Sequence, residues 1–436
     1  MRTGRSVVNL VLWHGYLLSG TGSNIYTQHV ARAWARLGHD VRVLCQEPHP
    51  ERFSLGPGVR IIRPKTGPLL PTFVLDRYEG IEARLVGDFS DAELERYLAL
   101  NASALAAELE RQPADLVMAN HAIMGGPVAQ RGCATSKTPY AVYLHGSELE
   151  YAIRGNRRLA HLARGPLDSA HHVFAGSQHI VDVTRELLGD GPYLERVAIV
   201  PPGVDVDAFR PDGGSRPALF ELLRSDRPGA QPERHPDADA ADRLEQAGPF
   251  ILYFGKLLRQ KGVHLLLDAW RRLGPRYPDT SLVVVGFGSD RAWLESLAGV
   301  RVIFTGAMDH AQLQRLVPCA ELVVVPSVLP EAFGMVAAEA ASCGLMTVVS
   351  DHSGLAEVAA GLGPASRTFD GSVDDLERVV GEVMDMPAAD RGAIGLLGRE
   401  RVCARWSWER IADRLISGVP HNEEGTRPSH DHQRRR

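Results

Sequence analysis

Two glutamates stand eight residues apart, Glu331 and Glu339, in the stretch PSVLPEAFGMVAAEAASCGLMTVVSDHSGLAE at positions 326–357. A carboxylate accepts hydrogen bonds on several lone pairs, so each could hold hydroxyl groups. Between them lie Phe333, Gly334 and Met335, where a helix is expected to begin. The first turn of a helix presents unpaired N–H groups and the positive end of its dipole, which suits the oxygens of an anion. Taken together, these groups fit a molecule with a diphosphate in the middle and a sugar at each end. Paired glutamates at this spacing also occur on solvated helices, so the elements around them decide.

Those elements read as strand, tight loop, helix, strand. The apolar run 322–325 ends at Pro326, as a buried strand does, and the helix that follows stops at Gly344, a favoured C-terminal residue. Upstream, 250–254 is a strand followed by GKLLRQKG and a helix from Val263. Strands at 281–285 and 301–304 end in GFGSD and in Thr305-Gly306.

The N-terminal half opens with an apolar run at 7–12, the loop GYLLSGTGSN, a helix burying Tyr26, Val30, Ala33 and Leu37, and a strand at 41–44. This is the start of a parallel α/β domain. A dinucleotide fingerprint would need glycine at Ile25, and Glu47 at the end of the second strand then reads as a solvated loop residue. Gly20 and Gly22 let the backbone turn or approach a ligand. Further strands are expected at 59–62, 116–119, 140–144, 173–175 and 197–200, with a helix after the capping box of Ser90 and Glu93. His145 closes the strand YAVYL, and in open parallel sheets ligands lie outside the carboxyl ends of strands. His121 reads as structural, and Ser177 as a helix N-cap. Asp205 and Asp207 form a D-x-D in a Pro-Gly turn, where turn and cap roles outweigh metal binding. Residues 211–248, with Asp237 and Asp239, are rich in Pro, Asp, Arg and Ala and read as a mobile insertion.

At 436 residues the chain is long enough for two domains, and a net charge of −5 gives no reason to expect a nucleic-acid partner. The five cysteines are scattered without a C-x-x-C, which points to reduced thiols in the cytoplasm and no zinc site. No apolar run reaches the ~18 residues of a membrane span, and no secretory signal pattern opens the chain. Only four lysines accompany 44 arginines, and two of them, Lys256 and Lys261, fall in one loop.

The 326–357 stretch resembles the E-x7-E donor-site signature of retaining glycosyltransferases of GT-B type, in particular the large family four (glycosyl transferases group 1). The resemblance covers about residues 5 to 418 apart from the insertion. It implies an α/β fold of two Rossmann-like parallel-sheet domains facing across a cleft. The acceptor-side domain would span 1–205 with a returning helix at 405–418, the donor domain 249–404, and a disordered tail 420–436. In that family the acid matching Glu331 binds hydroxyls of the transferred sugar, and the one matching Glu339 binds the ribose. Lys256 and Lys261 match two cations that meet the diphosphate, and fixed cations stabilise charge building on a leaving group. His145 matches a histidine near the reacting carbon, Ser177 a serine near the sugar, and Gly22 part of the glycine loop by the diphosphate. The backbone from Gly306 to Met308 would hold the base. Ser353-Gly354-Leu355 departs from the family's paired glycines, so that loop fits a different sugar or contributes little, and Glu357 matches an acid of structural use.

The implied reaction transfers a hexosyl unit from a UDP- or GDP-sugar to an acceptor hydroxyl, retaining the anomeric configuration, with no metal or other cofactor. Expected partners are the nucleotide sugar and a hydroxyl-bearing acceptor, with peripheral membrane contact left open. Two rivals remain at this stage, a nucleotide-sugar epimerase of similar shape and a non-catalytic nucleotide-binding subunit. The residues do not name the base, the sugar, the acceptor or the oligomeric state.

Overall fold

The computed structural model describes residues 7–18, 20, 22–67, 69–74, 81–225 and 235–417. The tail 420–436, read above as disordered, lies outside the described residues. The chain divides into two compact units. The first takes the chain up to Phe174 with 190–197 and the residues from Ala412 on, and the second takes 175–189 and 198–411.

The first nine strands are β1 (Asn9–Trp13), β2 (Asp40–Leu44), β3 (Val59–Ile62), β4 (Leu69–Thr72), β5 (Glu82–Leu85), β6 (Leu116–Asn120), β7 (Tyr140–Leu144), β8 (His172–Ala175) and β9 (Val197–Ile199). Seven of them form a sheet in the order β3-β2-β1-β6-β7-β8-β9, and β4 and β5 pair separately in parallel. β6 and β7 are buried at every position, as strands covered by helices on both faces must be. The capping box forms: the Ser90 hydroxyl accepts from the Glu93 amide at the head of the helix Asp91–Arg111. Trp34 Nε1 donates to the Ala412 carbonyl at 3.0 Å, tying the last helix, Trp408–Ile416, to this unit.

The second unit is built on β10 (Phe250–Phe254), β11 (Ser281–Val285), β12 (Val302–Phe304), β13 (Leu322–Val325), β14 (Thr347–Ser350) and β15 (Ser366–Phe369). Their order is β12-β11-β10-β13-β14-β15, and every pair is parallel. One apolar layer packs Phe250, Leu252 and Val323 against helices, and the opposite layer packs Ile251, Tyr253 and Val324. The alternation along each strand thus fills both faces.

The stretch read as a mobile insertion is in part ordered. Helices Arg216–Ser225 and Ala240–Gln246 bury Leu219, Phe220, Leu223, Ala240, Ala241 and Leu244 in the core of the second unit. Their apolar residues recur at helical spacing, and packing overrides a composition dominated by Pro, Asp and Arg. Among the described residues no helix is long and apolar enough to cross a membrane.

Candidate functional site

In the second unit, strand ends and glycines bring Lys261 to Glu331. After β10 the chain runs through Lys256 to a short turn, Arg259–Lys261, and then Gly262 at φ 68°. A β-carbon at Gly262 would lie 1.8 Å from the Pro326 carbonyl oxygen at the exit of β13, so only glycine allows this approach. The Gln260 carbonyl then accepts from the amide of Val328 at 2.8 Å. With the two loops locked together, Lys261 Nζ lies 2.8 Å from Glu331 Oε1. Lys256 is exposed, its ammonium has no partner among the described residues, and its carbonyl accepts from Tyr253 Oη at 2.8 Å.

Glu331 is fixed on several sides. Ser327 Oγ donates to its carboxylate, and the Glu331 amide donates to Ser353 Oγ at 2.9 Å. His352 Nδ1 lies 3.1 Å from that same hydroxyl and His352 Nε2 lies 2.9 Å from the Ser327 carbonyl. The carbonyl cannot donate, so Nε2 carries the proton and Nδ1 receives the serine's. Burial works against the Glu331 charge, but the Lys261 charge and the hydrogen bonds from Lys261 and Ser327 outweigh it and hold the carboxyl below its ordinary value. Ser353 adopts φ 55°, and its hydroxyl makes this loop a direct support of Glu331.

The helix Met335–Ser342 follows Gly334 at φ 110°. Among the described residues the amides of Phe333, Gly334 and Met335 have no hydrogen-bond acceptor, so three donors stand open at its N-terminus. Phe333 is buried with its ring edge-on to Trp406 at 5.3 Å. Glu339, on the same helix, is 9 % exposed, and His310 Nε2 lies 4.0 Å from its Oε1. Burial, and after it the charge of Asp205, pushes the Glu339 carboxyl up to about 8. Asp205 itself caps a turn, accepting from the Ala208 amide at 3.1 Å.

Gly306 closes β12 and is tied to its neighbours by backbone. The Gly286 amide donates to the Gly306 carbonyl at 2.9 Å, and a β-carbon on Gly286 would lie 1.8 Å from the Gly255 carbonyl oxygen. The side of Gly306 where a β-carbon would project is covered by residues 235–237, at 2.7 Å from the His235 carbonyl oxygen. Asp237 anchors this strap by accepting from Arg291 at 2.8 and 2.6 Å and from Arg243 at 2.6 Å. Ser177 caps the helix Gln178–Leu188, whose first amides, of Gln178 and His179, donate to Glu357 at 2.8 Å each.

The first unit carries its own polar cluster, built at the ends of β1, β6 and β7. His145 Nε2 lies 2.8 Å from Asn120 Oδ1, and Asn120 Nδ2 lies 3.2 Å from His14 Nδ1. His121 Nδ1 is 3.2 Å from Glu148, which also accepts from the amides of Ala122 and His145 at 3.3 and 3.1 Å. Burial, with repulsion from His121 and His14, holds His145 well below the ordinary histidine range. His121 Nε2 is buried without a partner among the described residues, and its backbone stands at φ 73°. Gly22 opens the helix Gly22–Arg36, exposed, with no described residue within 4 Å of where a β-carbon would be. Glu47 is not solvated: it is 5 % exposed and accepts from the amides of Leu18 and His49 at 3.1 Å each.

Lys261, Glu331, the open amides and Glu339 thus belong to one neighbourhood of the second unit, and His145 and Gly22 to the first. The supporting residues Ser327, His352, Ser353 and Glu148 were not singled out as site residues from the sequence.

A family model described as Glycosyltransferase Family 4 matches residues 20–208, and one described as Glycosyl transferases group 1 matches residues 237–394. A D-inositol 3-phosphate glycosyltransferase of Xylanimonas cellulosilytica is 29 % identical over 365 residues, 77 % of each chain. A GDP-mannose-dependent monoacylated alpha-(1-6)-phosphatidylinositol monomannoside mannosyltransferase of Corynebacterium glutamicum is 26 % identical over 308 residues, 68 % of this chain and 72 % of that protein. Among solved structures, Anabaena HepE in complex with UDP and glucose superposes with a TM-score of 0.65 at 17 % identity, over 94 % of this chain and 98 % of that one. At that identity the likeness is one of fold. With the two family models matching the two halves in order around parallel sheets of the same fold, the chain belongs to the group 1, family-four-like glycosyltransferases of GT-B fold.

Proposed function

We propose that this glycosyltransferase moves a hexosyl unit from a nucleoside diphosphate sugar, UDP- or GDP-linked, to an acceptor hydroxyl with retention of configuration, without a metal, in the cytoplasm. The observation that carries the reading is the Lys261–Glu331 contact at 2.8 Å beside the open amides of Phe333, Gly334 and Met335. UDP stands in the solved complex of the Anabaena protein, and GDP-mannose in the name of the Corynebacterium relative. The free thiols of all five cysteines suit a reducing compartment.

In this reading the diphosphate lies at the helix N-terminus, where the three amides and the dipole face it. Lys261 and Lys256 supply positive charge as the bond from the anomeric carbon to the phosphate oxygen breaks and its electron pair moves to that oxygen. The acceptor hydroxyl attacks from the same face, and its proton passes to the departing phosphate oxygen. Glu331, kept ionised by Lys261, accepts hydrogen bonds from sugar hydroxyls and orients the ring without attacking it. Glu339 accepts from the ribose, the Gly306–Met308 backbone meets the base, and Ser177 borders the donor. His145, in the first unit, is kept a neutral ring by burial and the neighbouring histidines.

The test is turnover of a panel of UDP- and GDP-sugars in EDTA, with the product anomer read by NMR. Lys256→Ala, Lys261→Ala and Glu331→Ala should each lose orders of magnitude in transfer. Full transfer by the lysine variants, an inverted product, or a strict metal requirement would overturn the reading.

A further inference from the structure

On the first unit a cavity of about 330 Å³ opens between the β4–β5 pair and the turn that follows His145. Phe73 forms an aromatic wall, and Thr72, Asp88, Tyr151, Arg154 and Asn156 supply polar lining. Tyr151 rides on a π-helical turn, Leu149–Ile153, and is 53 % exposed. Such turns are rare and are frequent at functional sites.

Three arginines around this cavity are already paired. Arg154 is bound to Glu150 at 2.7 and 3.0 Å, Arg84 to Glu93 at 2.9 and 2.7 Å, and Arg158 to Asp91 at 2.7 Å. The Asp88 carboxylate has no hydrogen-bond partner among the described residues; its backbone carbonyl accepts from Arg84 at 2.9 Å, and the Arg84 charge acts on the carboxylate without a bond. Asn156 uses Oδ1 to cap the helix Arg157–Ser169, which leaves its NH2 group free among the described residues. An open carboxylate, an open amide donor and exposed aromatic surface are what a hydroxyl-bearing ring needs: hydroxyls donate to Asp88 and accept from Asn156, while the C–H face packs on Tyr151 or Phe73. A phosphate ester would instead bring a second negative charge to an acid, with the nearby guanidinium groups already occupied.

We propose that this cavity binds the acceptor, and that the acceptor is a neutral polyhydroxylated ring, a sugar or a cyclitol, rather than its phosphate ester. The assignment of the ring as acceptor rests on the glycosyl-transfer reading above. The selectivity for a neutral ring rests on the cavity alone.

The experiment is titration of the full-length enzyme, with no nucleotide sugar present, by saturation-transfer NMR using methyl α-glucoside, myo-inositol and glucose 6-phosphate. At least one neutral ring should bind at least tenfold more tightly than the phosphate. Asp88→Asn, at an exposed position that should not disturb folding, should weaken the neutral ring about tenfold and narrow its lead over the phosphate. Tyr151→Ala should remove the ring's aromatic contact and weaken all three probes. Tighter binding of glucose 6-phosphate, or an Asp88→Asn variant with unchanged affinities, would overturn the proposal. Donor hydrolysis in water, measured separately, reads the other site, so a failed cavity leaves it intact and a failed transferase reading leaves ring binding intact.

Discussion

Replacing Gly262 by alanine puts the geometry of the Lys261 loop to a test with a built-in control. Gly262 stands at φ 68°, and its added methyl would meet the Pro326 carbonyl oxygen at 1.8 Å and carbonyl carbon at 2.8 Å. Both neighbours are backbone, so the loop and the exit of β13 must part by more than an ångström. That separation breaks the bonds from the Val328 and Leu329 amides to the Gln260 carbonyl, now 2.8 and 3.3 Å, at about 1 kcal/mol each. The left-handed backbone adds roughly 1–2 kcal/mol for any residue with a β-carbon. Gly371, at φ 93° with nothing within 4 Å of its β-carbon position, carries the second cost without the first. The expected loss is therefore about 3–4 kcal/mol for Gly262→Ala and about 1–2 for Gly371→Ala. At roughly 2–4 °C per kcal/mol for a unit of this size, the melting temperatures should separate by several degrees. An ångström of displacement at Lys261 should cost about 100-fold in kcat/KM for the donor, with Gly371→Ala near wild type. Equal melting temperatures and full activity in both variants would refute the claim that this contact sets the lysine's position.

Other consequences follow from the buried groups. Glu339 has a native value of about 8 against an ordinary 4.5, so the folded chain holds the extra proton between those values. Stability should then fall as pH rises through that window, and Glu339→Gln should flatten the slope in urea unfolding at pH 5 and pH 8. An unchanged slope would remove Glu339 as its cause. Asn120→Ala leaves the ring nitrogens of His14 and His145 without this partner, which should cost roughly 2–4 kcal/mol in denaturant unfolding and lower kcat; stability within half of one would contradict the network. Because burial and the neighbouring histidines depress His145, its ring signals should not titrate between pH 6 and 8, and a midpoint near 6.5 would contradict that. Arg291→Ala removes two of the three bonds to the Asp237 carboxylate and should speed amide exchange at Asp237, whose N–H now donates to the Thr305 carbonyl at 2.8 Å; unchanged protection would show that Arg291 does not hold the strap.

Much of the candidate site in the second unit was legible because it is written in local signals. The run 322–325, the proline after it and the glycines at 334 and 344 mark a strand, a turn and both ends of a helix within two residues of where they stand. The partners of Glu331 were not legible, because Ser353 lies 22 residues away and His352 is hydrogen-bonded toward Glu331 by way of Ser327 and Ser353. The same holds for Glu148, whose role depends on two strand ends meeting. Glu47 looked solvated by its charge, yet two backbone amides make its burial tolerable. β4 and β5, with Pro71, Glu82 and Arg84 inside them, lack the alternation that announces a strand. The helix Arg216–Ser225 was hidden for a related reason: its apolar face is short and its flanks read as linker.

Calorimetric titration of UDP-glucose and GDP-mannose into the wild type and Lys261→Ala, both in EDTA, bears most directly on the central claim. Wild type should bind at least one of them unaided by metal. Lys261→Ala, having lost a charged hydrogen bond of about 1.5–3 kcal/mol, should bind it roughly ten- to a hundredfold more weakly. Equal affinity in the two proteins, or binding by neither until a divalent cation is restored, would contradict the account.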